Sequence, residues 1–216
     1  MTANAQTSTT AEPLLAIDHL SGQCMGPIKY NVSIVDPPKS MDAKALQTEI
    51  QSALDRIDRL MSTYIDDSDI SKFNASDSVE FIPCDAETAA VVKRALDIGE
   101  LTGGAFDITV GPAVELWSFG RQKPARGEKF EVPDDPSIET VKRKIGFNKL
   151  TVRLDPPALK KAIADLQIDL SAIAKGYAVD ISDFAAVQEF GKQVTADLGK
   201  PSILVNNAGV TRDGLA

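Results

Sequence analysis

Apolar and polar residues alternate strictly from Ile28 to Ile34: Ile28, Tyr30, Val32 and Ile34 against Lys29, Asn31 and Ser33. That period of two predicts a strand with one buried face. Asp36-Pro37-Pro38-Lys39-Ser40 breaks the run, and the period then changes. Leu46, Ile50, Leu54, Ile57 and Met61 recur at three- and four-residue spacing with charges between them, predicting an amphipathic helix over 42–61. The stretch "STYIDDSDISKFNASDS" that follows reads as a polar loop with Tyr64 and Phe73 set into it. "VEFI" is a short strand, and Asp85 offers an N-cap to a helix that turns Ala89, Val92 and Leu96 inward. Thr102-Gly103-Gly104 ends that helix.

Beyond it, 121–137 is rich in proline and charge and predicts an exposed loop. A short helix with Ile138, Val141 and Ile145 comes next, then strands around "LTVRL" and "LQIDL". Ser171 can cap a further helix starting at Ala172. Strands and helices mix without regular βαβ alternation, so the expected class is α+β. Residues 1–12 read as a disordered tail, and no internal repeat is visible.

Composition narrows the function classes. The chain has 216 residues, 43% hydrophobic and 25% charged, enough for a real core. A formal net charge of −8 argues against nucleic-acid binding, and any anionic ligand must be held by local basic groups and amides. Cys24 and Cys84 form neither a disulfide framework nor a zinc spacing. The single His19 cannot build a triad or a His-based metal site, and a surface or capping role fits it better. No run reaches the roughly 18 apolar residues of a membrane span. The N-terminus lacks the charged-then-apolar order of a secretion signal, so the chain as written is expected in the cytoplasm.

Two stretches carry candidate chemistry. In "TGGAFDITVGPAVELWSFG", two adjacent glycines precede Ala105-Phe106-Asp107. They remove Cβ atoms where a ligand or another backbone could approach. The alternative is a helix C-cap followed by a turn with a structural Asp. The GxGxxG dinucleotide pattern is absent. In "IDLSAIAKGYAVD", Asp169, Ser171 and Lys175 sit where a strand runs into a helix N-terminus. Free amides and one ammonium there make a pyrophosphate cradle, or else a capped helix with one snorkelling lysine. Trp117 is expected in the core.

Four ordered segments, "MGPIKYNVSIV", "MSTYIDDSDISKFN", "TGGAFDITVGPAVELWSFG" and "IDLSAIAKGYAVD", together resemble the ApbE family of FAD:protein FMN transferases, over residues 20–180. The resemblance implies an enzyme that uses FAD as substrate with Mg²⁺. A threonine hydroxyl of an acceptor flavoprotein attacks the FMN phosphorus of FAD, AMP leaves, and FMN stays in phosphoester linkage. Position by position, it implies that Met25, Tyr64, Ala105, Phe106, Asp107, Asp169 and Lys175 contact FAD. It also makes the Ala172 carbonyl a metal ligand. On this reading the glycines let the Ala105–Asp107 turn lie against the cofactor.

The chain departs from the family in two places. Pro27 stands where the family has threonine, removing a hydroxyl and an N–H. Family members also continue well past "AKGYAVD", so the ApbE-like domain, 13–180, is expected to be C-terminally incomplete and its activity reduced. Residues 181–216 instead resemble an internal helix–strand piece of short-chain dehydrogenase/reductases, with Asn206-Asn207-Ala208-Gly209 matching their NNAG motif. The glycine-rich Rossmann opening and the Tyr-x-x-x-Lys pair are absent. A reductase fragment and a non-catalytic flavin-binding module are the competing readings. The tail strand, 202–205, is expected to find no sheet to join.

Overall fold

The structure, a computed structural model, describes residues 17–35, 37, 39–121, 131–179 and 203–205. Strands β1 (Ile17–Cys24) and β2 (Ile28–Val35) form an antiparallel hairpin, Cys24 opposite Ile28. Its turn is Met25-Gly26-Pro27, with φ of +46° at Met25 and +80° at Gly26. β2 is the strand that the alternation predicts, whereas β1 gives little signal because Leu20 is its one buried hydrophobic residue among those described. Exposed His19 pairs across the hairpin, its Nδ1 3.0 Å from Ser33 Oγ.

Helix α1 (Ala43–Met61) starts where Asp42 accepts hydrogen bonds from the Lys44 and Ala45 amides, both 3.0 Å. Its apolar stripe serves two clusters. Leu46 and Ile50 pack with Leu20, Val32 and Ile34 of the hairpin. Ile57 and Met61 enter the main core.

The expected polar loop after α1 contains a helix, α2 (Asp69–Ala75). Ser68 caps it, its Oγ accepting from Ser71 N at 2.9 Å, and Ile70 and Phe73 bury one face. A serine, an acidic residue and an i, i+3 apolar pair were the available signal, diluted by the polar residues around them. Strand β3 (Ile82–Pro83) is shorter than "VEFI". Helix α3 (Ala86–Leu101) begins under the Asp85 cap and buries Ala89 and Val92, with Leu96 half-buried. A 3₁₀ turn, Ile108–Val110, leads into α4 (Gly111–Leu116), and α5 (Asp135–Lys142) begins inside the expected loop. Trp117 is half-buried and lies outside the core clusters, contrary to expectation.

Strands β4 (Leu150–Leu154) and β5 (Pro157–Lys161) pair antiparallel, and β3 joins the far side of β5. "PALKK" hid β5 because proline and two lysines are poor strand signals. Helix α6 (Ser171–Val179) follows "LQIDL", which is not a strand. Leu166, Ile168 and Leu170 are nevertheless fully buried, alternating with half-buried Gln167 and Asp169. The period of two is present, but the stretch has no ladder partner.

Strand β6 (Ile203–Val205) pairs antiparallel with β2, Val32 opposite Val205, so the first sheet runs β1-β2-β6. The expectation that this segment finds no sheet is therefore corrected. A reductase strand would lie parallel within its sheet, whereas this one extends an antiparallel edge. The helical pattern expected at 184–198 and the tail at 1–12 lie outside the described residues.

Lys161 is wholly buried, and its Nζ donates to the carbonyls of Phe73 (2.9 Å), Ser76 (2.7 Å) and Ala164 (3.1 Å). It stands 4.7 Å from the Phe73 ring centroid. The ammonium thus closes the C-terminal carbonyls of α2. Burial pulls the Lys161 pKa below 10.5, against the opposing effect of Asp77 and Asp165. In the folded state this proton leaves at lower pH than in the unfolded chain. Between the lowered value and 10.5 the unfolded chain binds more protons, so stability rises with pH across that window. Lys161→Met is expected to cost about 2–4 kcal/mol in urea unfolding at pH 7, by removing three charged hydrogen bonds and leaving the buried Phe73 carbonyl without its ammonium donor. The difference between wild type and variant should shift in favour of wild type as pH rises toward 10.5.

Candidate flavin site

Helix α3 ends through Thr102, whose Oγ1 donates to Ile98 O at 2.8 Å and accepts from Phe106 N at 3.1 Å. The chain then reverses with φ of +61° at Gly103 and +85° at Gly104. Both glycines are required by the backbone itself, since a Cβ in this region costs about 1–2 kcal/mol. A Cβ on Gly104 would also stand 3.3 Å from the Phe147 ring, while one on Gly103 would meet nothing within 4 Å. The backbone of the turn is by itself enough to require both glycines.

Asp107 is likewise held by the protein. Its Oδ1 accepts from Thr109 N and Thr109 Oγ1, both 2.7 Å, and its Oδ2 accepts from Phe147 N at 2.9 Å. Both oxygens are engaged, which is the structural-Asp alternative. Ala105 is exposed and Phe106 half-buried, so the outer side of the turn is open.

This turn is joined to the second candidate stretch by Asp169 N, which donates to Ile108 O at 2.8 Å. Asp169 Oδ1 accepts from Ser171 N at 2.7 Å, so Asp169, not Ser171, supplies the side-chain hydrogen bond where α6 begins. Ile173 N and Ala174 N both donate to Leu170 O, at 3.0 and 2.8 Å. The expected cradle of free amides is therefore reduced to that of Ala172 among the described residues. Lys175 is exposed, its Nζ 3.2 Å from Ser171 O, with the rest of its ammonium facing outward.

Lys175 also lies close enough to the end of β1 to act on Cys24. Burial pushes the Cys24 thiol up, Asp58 and Asp55 add to this, and the nearby Lys175 charge opposes it. Met25, next in the chain, packs on the main core. Asp169 is thus tied to the turn after α3 through Ile108 O, and Lys175 lies near Cys24 at the end of β1.

Tyr64 is held separately. It is 56% exposed, its hydroxyl 3.5 Å from Phe119 O. Its loop is clasped by Ser68 Oγ, which donates to Ser62 O at 2.6 Å, and by Arg121. The Arg121 guanidinium donates to Thr63 O, to Asp66 Oδ1 at 2.6 Å and to Ser71 Oγ at 3.2 Å. Sequence reasoning missed Arg121, because nothing in its local pattern separates it from other loop arginines.

Among the described residues no group of three or more His, Cys, Asp or Glu could hold a metal ion. The Ala172 carbonyl is one neutral oxygen in the first turn of α6, and Mg²⁺ takes near-octahedral oxygen ligation, usually including carboxylates. The described residues do not compose a magnesium site. Nor, among them, is any helix long and apolar enough to cross a membrane.

The sequence profile of the ApbE family matches residues 25–199. The chain belongs to the ApbE family. It is 38% identical over 198 residues to the FAD:protein FMN transferase of Vibrio cholerae, covering 91% of this chain and 56% of that protein. The Salmonella typhimurium FAD:protein FMN transferase is 40% identical, with 82% and 49% covered. Among solved structures, the Vibrio cholerae flavin transferase ApbE superposes with a TM-score of 0.75 at 36% identity, covering 91% of this chain and 58% of that one. Apo Pseudomonas stutzeri flavinyl transferase ApbE gives 0.74 at 30% identity, with 92% and 59% covered. The chain spans about half the length of the curated relatives it matches. The ApbE match crosses Asp180 to residue 199, and the comparisons lend no support to the reductase-like reading of the tail.

Three substitutions test the turn after α3. Asp107→Ala should destabilise the fold by about 2–4 kcal/mol, through loss of three hydrogen bonds to a carboxylate, read by urea denaturation. Gly104→Ala should cost more than Gly103→Ala, for which backbone strain of about 1–2 kcal/mol is the whole effect.

Proposed function

We propose that this chain binds FAD on the surface around the start of α6, and that it serves an FAD:protein FMN transferase reaction on a threonine of an acceptor flavoprotein. Support comes from the ApbE relatives, which carry that name, and from the hydrogen bond between Asp169 N and Ile108 O. That single bond seats the Ala105–Asp107 turn against the stretch bearing Asp169, Ala172 and Lys175. It is the observation that carries the reading.

The roles divide by what each group has left to offer. Lys175 supplies positive charge to the pyrophosphate, which an acidic chain needs locally. Asp169 has its Oδ2 without a partner among the described residues and can accept from a hydroxyl of FAD. Ala105 and Phe106 offer surface for the flavin dinucleotide, with Asp107 keeping their turn in shape. Met25 and Tyr64 flank the site from the hairpin tip and the α2 loop.

In the transfer, a new P–O bond forms between the acceptor threonine oxygen and the FMN phosphorus. The P–O bond to the AMP phosphate breaks, and the hydroxyl proton is released. Phosphoryl transfer of this kind depends on positioning and charge neutralisation. The described residues contribute the Lys175 cation and no carboxylate cluster for Mg²⁺, so residual FAD binding with little or no transfer is the expected behaviour.

Fluorescence titration should detect FAD binding and no appreciable NAD(P)H binding, with Lys175→Ala weakening FAD by about 1.5–3 kcal/mol. Unchanged FAD affinity in that variant would remove Lys175 from the site. Incubation with FAD, Mg²⁺ and a threonine-bearing acceptor peptide, followed by mass spectrometry, should give little or no FMN adduct, since misplacing a reacting group by about 1 Å can cost about a hundredfold in rate. A rate equal to that of the Vibrio cholerae relative would mean that the chain completes the metal site.

A further inference from the structure

We infer that Asn74 is a positioning residue for the candidate FAD site, acting through Ile168 to set Asp169 and the first turn of α6. The inference rests on the FAD reading above. Asn74 Nδ2 donates to Ile168 O at 2.8 Å, and Ile168 N donates to Asn74 Oδ1, also at 2.8 Å. One carboxamide thus pairs with both polar groups of one residue, as a neighbouring strand would.

The pairing matters because of where Ile168 lies. Leu166, Ile168 and Leu170 are fully buried, yet the stretch has no ladder partner among the described residues. Asn74 holds Ile168 from one side, and Ile108 O holds Asp169 N from the other at 2.8 Å. Asp169 follows Ile168 directly and engages Ser171 N at the start of α6. A shift at Ile168 is therefore passed to Asp169, Ala172 and Lys175 through rigid backbone.

Asn74 is itself firmly placed. Phe73 beside it is 1% exposed, and Lys161 binds the carbonyls of Phe73 and Ser76 on either side. At the other end of α2, Ser68 and Ser71 engage the Tyr64 loop and Arg121. One short helix thus fixes the Tyr64 loop at its start and the Asp169 stretch at its end. Only a carboxamide, or a protonated carboxyl of the same length, offers donor and acceptor together at this position.

That equivalence supplies the test. Asn74→Ala loses both bonds. Asn74→Asp loses the donor when ionised and regains it when protonated. The charged neighbours are Lys72 and Asp77 on the same segment, Lys161 on the adjoining carbonyls, and Asp165 and Asp169 on the facing stretch, and all are common to every protein compared. The full chain and both variants are titrated with FAD between pH 8 and pH 5, and amide hydrogen exchange is followed residue by residue.

At pH 8 both variants should bind FAD about tenfold more weakly than wild type. Exchange at Ile168 and Asp169 should quicken by a similar factor, while α1 and α3 keep their protection. On acidification Asn74→Asp should recover toward wild type, and Asn74→Ala should not. Wild-type-like FAD affinity in both variants, exchange that quickens equally throughout the molecule, or equal acid response in the two variants each overturns the role of Asn74. Failure of the wild-type chain to bind FAD overturns the site reading itself, and is distinct from those results.

Discussion

A length of backbone carrying three fully buried side chains, with no strand beside it among the described residues, is the constraint on which this structure turns. Leu166, Ile168 and Leu170 are drawn into the core by their side chains, and their amides and carbonyls must go with them. An unpaired buried peptide group costs as much as a lost hydrogen bond or more. The chain meets that requirement with a carboxamide from α2 and a carbonyl from the turn after α3. Because those two supports come from separate elements, satisfying the backbone also brings the Asp107 turn, the Asp169 stretch and α2 together.

Charge is used in the same economical way. Lys161 and Lys175 lie on either side of this stretch and do opposite things. Lys161 is buried on three carbonyls and holds α2, with its pKa drawn down by burial. Lys175 is exposed at the start of α6, beside the hairpin tip. Asp107 and Asp169 divide similarly: the first has both oxygens engaged by Thr109 and Phe147, while the second has only Oδ1 engaged, by Ser171 N, among the described residues.

The alternation from Ile28 to Ile34, the stripe from Leu46 to Met61, and the Asp85 cap with its glycine-ended helix were legible because each is a local pattern repeated over several residues. The motifs that mark the family were legible for a related reason: their residue types are dictated by a turn or a cap, such as the positive φ of Gly103 and Gly104. Helix α2 and strand β5 were not, being short, polar and stabilised by partners distant in the chain.

By itself the sequence determined the α+β class, the main helices, β2 and β4, and the family, all of which depend on local periodicity and residue type. Only the tertiary structure decided which polar groups are engaged inside the protein and which face outward. Asp107 and Asp169 look alike along the chain, as do Lys161 and Lys175, and "LQIDL" has the period of a strand. What separates them is whether a hydrogen-bond partner from far away in sequence occupies the group, and that depends on how the elements pack.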